Sequence, residues 1–301
     1  MKRQASLALE QPYPYALAAV ALWSTVATAF ALSLRYLSII ELILYASLAS
    51  TAALAALVTL QRGWLTVWQA LRARPWHALG LGALNPCLYY LVLFTAYERL
   101  PAQEAQALNY TWAITLALLS VPLLGHRLRA RDLVAAAICY LGALTIATRG
   151  EPLSLRFGDT LGVAAALGST LIWALYWIAN TRDPRPPVVG MFLNFAAAVP
   201  ILITLAWLVG IPPPSWQGVS GAVYVGLFEM GVTFVLWLAA LRRTTNTSRV
   251  TNLIFLAPVF SLVLIATVLG EAIRSYTLVG LALILTGLAY QQGLIRLNRR
   301  R

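Results

Sequence analysis

The chain has 301 residues, of which 60% are hydrophobic and 11% charged, with a mean hydropathy of +0.75. A soluble domain needs roughly a quarter of its residues charged, so this composition excludes a water-facing globular surface. At about 20 apolar residues per membrane-crossing helix plus short connections, the length holds about ten crossings and no sizeable domain outside them.

In chain order, apolar runs fall at about 14–34, 38–60, 76–98, 103–122 and 131–149, then at about 158–180, 187–209, 216–241, 248–268 and 275–294. Arg clusters, Pro and Gly separate them, as at Arg72 to Pro75, Gly125 to Arg131 and Thr181 to Pro187. The first run follows Lys2 and Arg3 and contains Ala29-Phe30-Ala31, which resembles a signal-peptidase site. The run is long for a signal peptide, and cleavage would spoil the alternation of charge described next, so it is read as a helix.

The formal net charge is +12, from 22 Lys and Arg against 10 Asp and Glu. With ten spans and both termini cytoplasmic, only five of the 22, Arg35, Arg99, Arg149, Arg156 and Arg274, fall on the outer side; the other 17 face the cytoplasm. Topology and lipid headgroups therefore account for the charge, and no nucleic-acid partner is expected.

The two halves echo each other. Trp23 and Trp173 sit in the first helix of a half, 150 residues apart. Asn109 and Asn252 are placed at the start of the fourth helix, Gly125 and Gly270 at its end, and Gly142 and Gly287 in the fifth. Residues 1–150 and 151–301 thus read as two five-helix repeats, and an odd number of spans inverts the second relative to the first. Ala135 and Gly142, like Gly280 and Gly287, lie seven apart on one helical face, where small residues let helix backbones approach in lipid.

Several chemistries lack their residues. Lys2 is the only lysine, so neither a phosphate-binding Walker loop nor a Schiff base is available. His77 and His126 are read as lying at helix ends away from carboxylates, and Cys87 and Cys139 as inert packing residues, so no metal, cofactor or catalytic pair is indicated. No Arg occupies the middle of a span, which argues against carriers of phosphate esters.

Glu229, in Gly226-Leu227-Phe228-Glu229-Met230-Gly231, falls near the centre of the eighth span and must face a wet cavity, pair or carry a proton. Glu41 is expected to partner Arg35 at the outer interface. Trp64, Trp68, Trp76, Trp207 and Trp216 suit an interfacial belt, whereas Trp23, Trp112, Trp173 and Trp177 lie inside spans. With Tyr89, Tyr90, Tyr110, Tyr176, Asn85, Asn109 and Asn252 they either pack or line a cavity suited to a zwitterion with an apolar or aromatic side chain. Pro86, Pro200 and Pro258 can bend their helices, as hinges or as static kinks.

Leu22-Trp23-Ser24-Thr25, Ala107-Leu108-Asn109-Tyr110-Thr111-Trp112, Ile172-Trp173-Ala174-Leu175-Tyr176-Trp177, Ala257-Pro258 and Gly270-Glu271 together resemble the drug/metabolite transporter superfamily, in its ten-helix branch of two fused repeats. They look most like the aromatic-amino-acid exporters of bacterial inner membranes. Two positions depart from the family pattern: Gly125-His126 in place of a frequent Gly-Glu, and Ala113 in place of a common proline. The resemblance implies an all-α polytopic secondary transporter that exports amino acids by alternating access, with protons as a possible coupling partner. A multidrug exporter holding a lipophilic cation at Glu229 is the rival, and a membrane-embedded lipid-modifying enzyme a more distant one.

Overall fold

The computed structural model describes residues 12–294 apart from 128, 155, 245–249 and 251, together with all their side chains except those of Leu238 and Arg242. Lys2, Arg3, Arg249, Arg296 and Arg299 to Arg301, which enter the charge balance, lie outside the described residues. Among the described residues there are helices and no strands. Among the described residues nine helices are long and apolar enough to cross a bilayer: Pro12–Ser33, Ile39–Leu60, Pro75–Arg99, Ala102–Leu124, Ala130–Ala147, Thr160–Thr181, Pro187–Val209, Trp216–Leu241 and Asn252–Leu269. The tenth, Ser275–Gln291, has 17 residues and reaches about 26 Å, a little less than the hydrocarbon thickness. They are called here the first to tenth spans.

Side chains and glycines at the ends take up backbone groups the helices leave open. Asp159 Oδ1 accepts the Gly162 N–H at 2.7 Å, and Ser215 Oγ accepts that of Gly218 at 3.1 Å. Gly125 and Gly270 close their helices at φ 71° and 70°, a left-handed conformation that a Cβ disfavours. Glu41 departs from expectation. Its carboxylate accepts the Ser38 backbone N–H at 2.8 Å and the Ser38 hydroxyl at 2.7 Å, completing a capping box rather than an ion pair with Arg35.

The connection after the second span forms a helix of its own, Trp64–Ala73, with the Arg72 guanidinium over the Trp68 ring at 4.4 Å. Trp64, Trp68, Trp76, Trp207 and Trp216 are all exposed, as an interfacial belt requires. Three spans are interrupted and one other opens irregularly. The third breaks at Asn85, whose extended backbone (φ −146°, ψ 116°) precedes Pro86, because a residue before proline is pushed out of the helical region. The fourth pauses at Tyr110 and Thr111, so Asn109 ends a helical segment instead of starting the span. The eighth stops at Phe228 and resumes at Val232. The ninth opens with a 3-10 turn at Asn252–Phe255. The seventh, by contrast, runs unbroken through Pro200.

The chain forms two compact units, and neither is a sequential half: one draws on residues 1–91 and 183–269, the other on 92–182 and 270–301. In the first unit Tyr90, Phe195, Leu42, Leu54, Leu202 and Met230 are fully buried. In the second, the small residues of the fifth and tenth spans meet as their spacing predicts. A Cβ placed on Gly142 would lie 2.5 Å from Gly280 O, and one on Gly287 would lie 2.8 Å from Ala135 O.

Candidate functional site

The eighth span breaks around its one central acid. Ending the helix at Phe228 frees carbonyls that have no water to turn to in a membrane, and neighbouring hydroxyls take them up. Ser50 Oγ donates to Met230 O at 3.0 Å, and Thr233 Oγ1 donates to Phe228 O. The break leaves Glu229 half-buried on an irregular stretch of backbone. The Tyr90 hydroxyl, from the first turn after the break in the third span, donates to Glu229 Oε1 at 3.2 Å. The Trp23 indole N–H approaches the same carboxylate.

Aromatic rings surround this carboxylate. Trp23 meets Phe234 at 5.7 Å and Trp237 at 5.4 Å, both edge to face. Tyr90 is 1% exposed and contacts Tyr89 at 4.7 Å and Phe30 at 6.3 Å. On the next turn, Thr25 Oγ1 and Tyr224 OH share a hydrogen bond of 2.7 Å, and Tyr224 leans on Phe228. A carboxylate set among aromatic rings can hold an organic ammonium, and those rings accept an apolar or aromatic side chain.

The sequence-predicted residues therefore fall into two groups. Trp23, Tyr89, Tyr90, Glu229 and Asn252 belong to the first unit, and the Oδ1 of Asn252 is buried with no hydrogen-bond partner among the described residues. Asn109, Tyr110, Trp112, Trp173, Tyr176 and Trp177 belong to the second. There Trp173, 8% exposed, stacks on Tyr176 at 5.8 Å and meets Trp177 edge to face at 5.9 Å. Asn109 Nδ2 donates to Ser169 Oγ at 2.9 Å and ties the fourth span to the sixth. Tyr110 lies in the pause of the fourth span and Trp112 directly after it, and both are half-buried. Phe30, Phe234, Trp237, Tyr224 and Ser50 were not anticipated; the signal for Phe234 and Trp237 was their three-residue spacing after an acid-bearing break, which puts both on one helical face.

Charged groups elsewhere sit at span ends. Arg99 and Asp159 pair at 3.0 Å, and that hydrogen bond, with the Gly162 N–H, holds the Asp159 carboxyl below its ordinary range. Glu271, of the Gly270-Glu271 motif, accepts from the Ala102 N–H at 3.0 Å and from Gln103 Nε2 at 3.3 Å, an anion set on the first turn of the fourth span. His77 is not remote from carboxylates as expected: its Nε2 lies 3.7 Å from Asp183 Oδ2, across 106 residues of sequence. Cys139 is fully buried, and its thiol donates to Ile284 O at 3.4 Å. Among the described residues no group of three or more His, Cys, Asp and Glu is arranged to hold a metal ion.

The profile of the EamA-like transporter family matches the chain twice, over residues 12–148 and 160–290. A protein of Streptantibioticus cattleyicolor named as a probable terminal-alkyne amino-acid exporter is 28% identical over 235 residues, covering 76% of this chain and 75% of that protein. One crystal structure of a protein with 24% identity shares the fold at a TM-score of 0.61, over 94% of this chain and 96% of the other.

Proposed function

The chain belongs to the EamA-like transporter family, within the drug/metabolite transporters, and we propose that it exports amino acids, aromatic and other apolar ones in preference. The observation that carries this reading is the carboxylate of Glu229, presented by a broken helix to Tyr90 and Trp23 within a group of aromatic rings. In it Glu229 receives the substrate ammonium or a coupling proton, while Trp23, Tyr89 and Tyr90 flank the side chain. Asn252, in the same unit as Glu229, is a further substrate-contacting residue in this reading, and so are Trp173, Tyr176, Trp177, Asn109, Tyr110 and Trp112 of the other unit. The S. cattleyicolor protein named as a probable terminal-alkyne amino-acid exporter supports the substrate class.

Transport proceeds by alternating access of two inverted repeats, residues 1–150 and 151–301. The doubled family match, at 12–148 and 160–290, supports the repeat. The protein sits in a bacterial inner membrane with both termini cytoplasmic, on the strength of the Arg and Lys asymmetry. A tag on the C-terminus that is reached from the periplasm contradicts that orientation.

Uptake by purified protein in proteoliposomes tests the function, using aromatic, aliphatic and charged amino acids and a lipophilic cation, each with and without a proton gradient. Saturable transport of aromatic amino acids is expected. Transport of the cation with none of the amino acids overturns the reading in favour of a multidrug exporter, which the same pairing of Glu229 with aromatic faces also suits.

A further inference from the structure

In the same compact unit as Glu229, but lined by other residues, the short helix Trp64–Ala73, the start of the third span and residues 183–186 enclose a cleft of about 280 Å³. Its polar lining is Thr66, Gln69, Arg74, His77, Asp183 and Arg185. The side chains of Asp183 and Arg185 are each only 6% exposed. Arg185 donates through Nε at 2.9 Å and Nη2 at 2.6 Å to Asp183, and through Nη2 to Asn194 Oδ1 at 2.9 Å. The Arg185 backbone N–H also donates to Asp183, at 3.0 Å.

The donor inventory of this cluster does not close. Asp183 spends its acceptor capacity on Arg185, and Asn194 Oδ1 is taken. Arg185 Nη1 and Asn194 Nδ2 are nevertheless buried without an acceptor among the described residues, and His77 Nε2, though 3.7 Å from Asp183 Oδ2, makes no hydrogen bond there. Buried polar groups in folded proteins are almost always partnered, and an arginine always carries its N–H donors. The cleft therefore lacks acceptors. It also carries excess positive charge, because Arg74 and Arg185 face the single carboxylate of Asp183, and the third and seventh spans begin here, at Pro75 and Pro187, with their positive dipole ends. Burial alone would push the Asp183 carboxyl up, but the bonds from Arg185 hold it below its ordinary range, so it remains an acceptor that is already occupied.

We propose that this cleft binds a phosphate anion, carried on a lipid headgroup or free in solution. Several oxygens on one centre match the nitrogens that Arg185, His77 and Arg74 bring to the lining of the cleft better than the two oxygens of a carboxylate do. Exposed Trp64, Trp68 and Trp76 beside the cleft place it at the depth where headgroups lie.

The test uses full-length protein in detergent, with thermal midpoints recorded in phosphatidylglycerol, in phosphatidylcholine, and in inorganic phosphate against chloride at equal ionic strength. Arg185→Gln would strand Asp183 and is uninformative if it fails to fold, so the test variants are Arg74→Gln and His77→Ala, at the partly exposed wall. A midpoint raised by either lipid without a response to inorganic phosphate assigns the site to a headgroup. A response to inorganic phosphate assigns it to the free anion. In either case Arg74→Gln should weaken the response about tenfold in ligand concentration, with the unliganded midpoint unchanged. The proposal is overturned if no phosphate source shifts the midpoint, or if both variants respond as the unmodified protein does; the cleft then holds water alone.

Discussion

Gly280 offers a quantitative test of the packing that builds the second unit. A Cβ at this position would meet Ile146 Cγ1 first and would lie 2.7 Å from Gly142 O and 2.8 Å from Ile146 Cδ1, all well inside van der Waals contact. Ile146 is fully buried and has little room to turn away, and the Gly142 carbonyl is backbone that moves only with its helix. Gly280→Ala should therefore cost about 1–3 kcal/mol of overpacking, set against about 0.5–1 kcal/mol gained by replacing a helical glycine. Gly80→Ala is the matched control, since a Cβ there meets nothing within 4 Å and should only stabilise. Reversible unfolding in mixed micelles should separate the two variants by about 2 kcal/mol. In a double-mutant cycle, Ile146→Ala and Gly280→Ala together should cost less than the sum of the two single changes, because Ile146→Ala removes both Cγ1 and Cδ1 and leaves only the carbonyl in the way. Equal stability of Gly280→Ala and Gly80→Ala would refute the close approach of the fifth and tenth spans.

Two further outcomes follow from the site and its surroundings. Trp173→Ala removes ring contacts to Tyr176 and Trp177, each worth about 1 kcal/mol, and should reduce transport of Trp or Phe more than that of a small amino acid; equal losses, with folding intact, make Trp173 a packing residue. Because Arg99 holds the Asp159 carboxyl below its ordinary range, the stability from that charge is complete above about pH 4 and is lost as pH falls through the lower, folded value. Asn also caps a helix, so Asp159→Asn removes mainly the charge: the unmodified protein should be the more stable at neutral pH and lose that advantage below about pH 4, whereas a difference that does not change with pH contradicts the pairing.

The ten spans were legible because a membrane demands long apolar runs whatever they pack against, and their ends because Arg, Pro and Gly mark them. The Ala135, Gly142, Gly280 and Gly287 contacts were legible for a related reason: seven-residue spacing of small side chains fixes a face without knowledge of the partner. Interruptions were legible only where a proline caused them, as at Asn85 and Pro86. The pauses at Tyr110 and around Glu229 have no local breaker of that kind; in the eighth span the freed carbonyls are met by Ser50, 180 residues away, and by Thr233. Proline was also no guarantee, since the seventh span passes through Pro200. Glu229 and Trp23 could be singled out one by one, because a central acid and an interior indole both need partners. That Tyr90 is one such partner, and that His77 meets Asp183, depends on tertiary contacts no spacing encodes. Glu41 misled because a nearby Arg35 offered a charge partner, while the nearer Ser38 offered a helix cap.

The account turns on Glu229 as the group that receives the substrate ammonium or a proton. Glu229→Gln keeps the shape of the side chain and can still accept from Tyr90, but it can neither carry charge nor titrate. Initial rates of amino-acid uptake should be measured for purified unmodified and Glu229→Gln protein in proteoliposomes, from about pH 6 to about pH 8. The account predicts that the variant loses apparent affinity for the amino acid, if Glu229 binds the ammonium, or loses the pH dependence of transport, if it carries the proton. A variant with unchanged affinity and an unchanged pH response would contradict it and reduce Glu229 to a hydrogen-bonding partner of Tyr90.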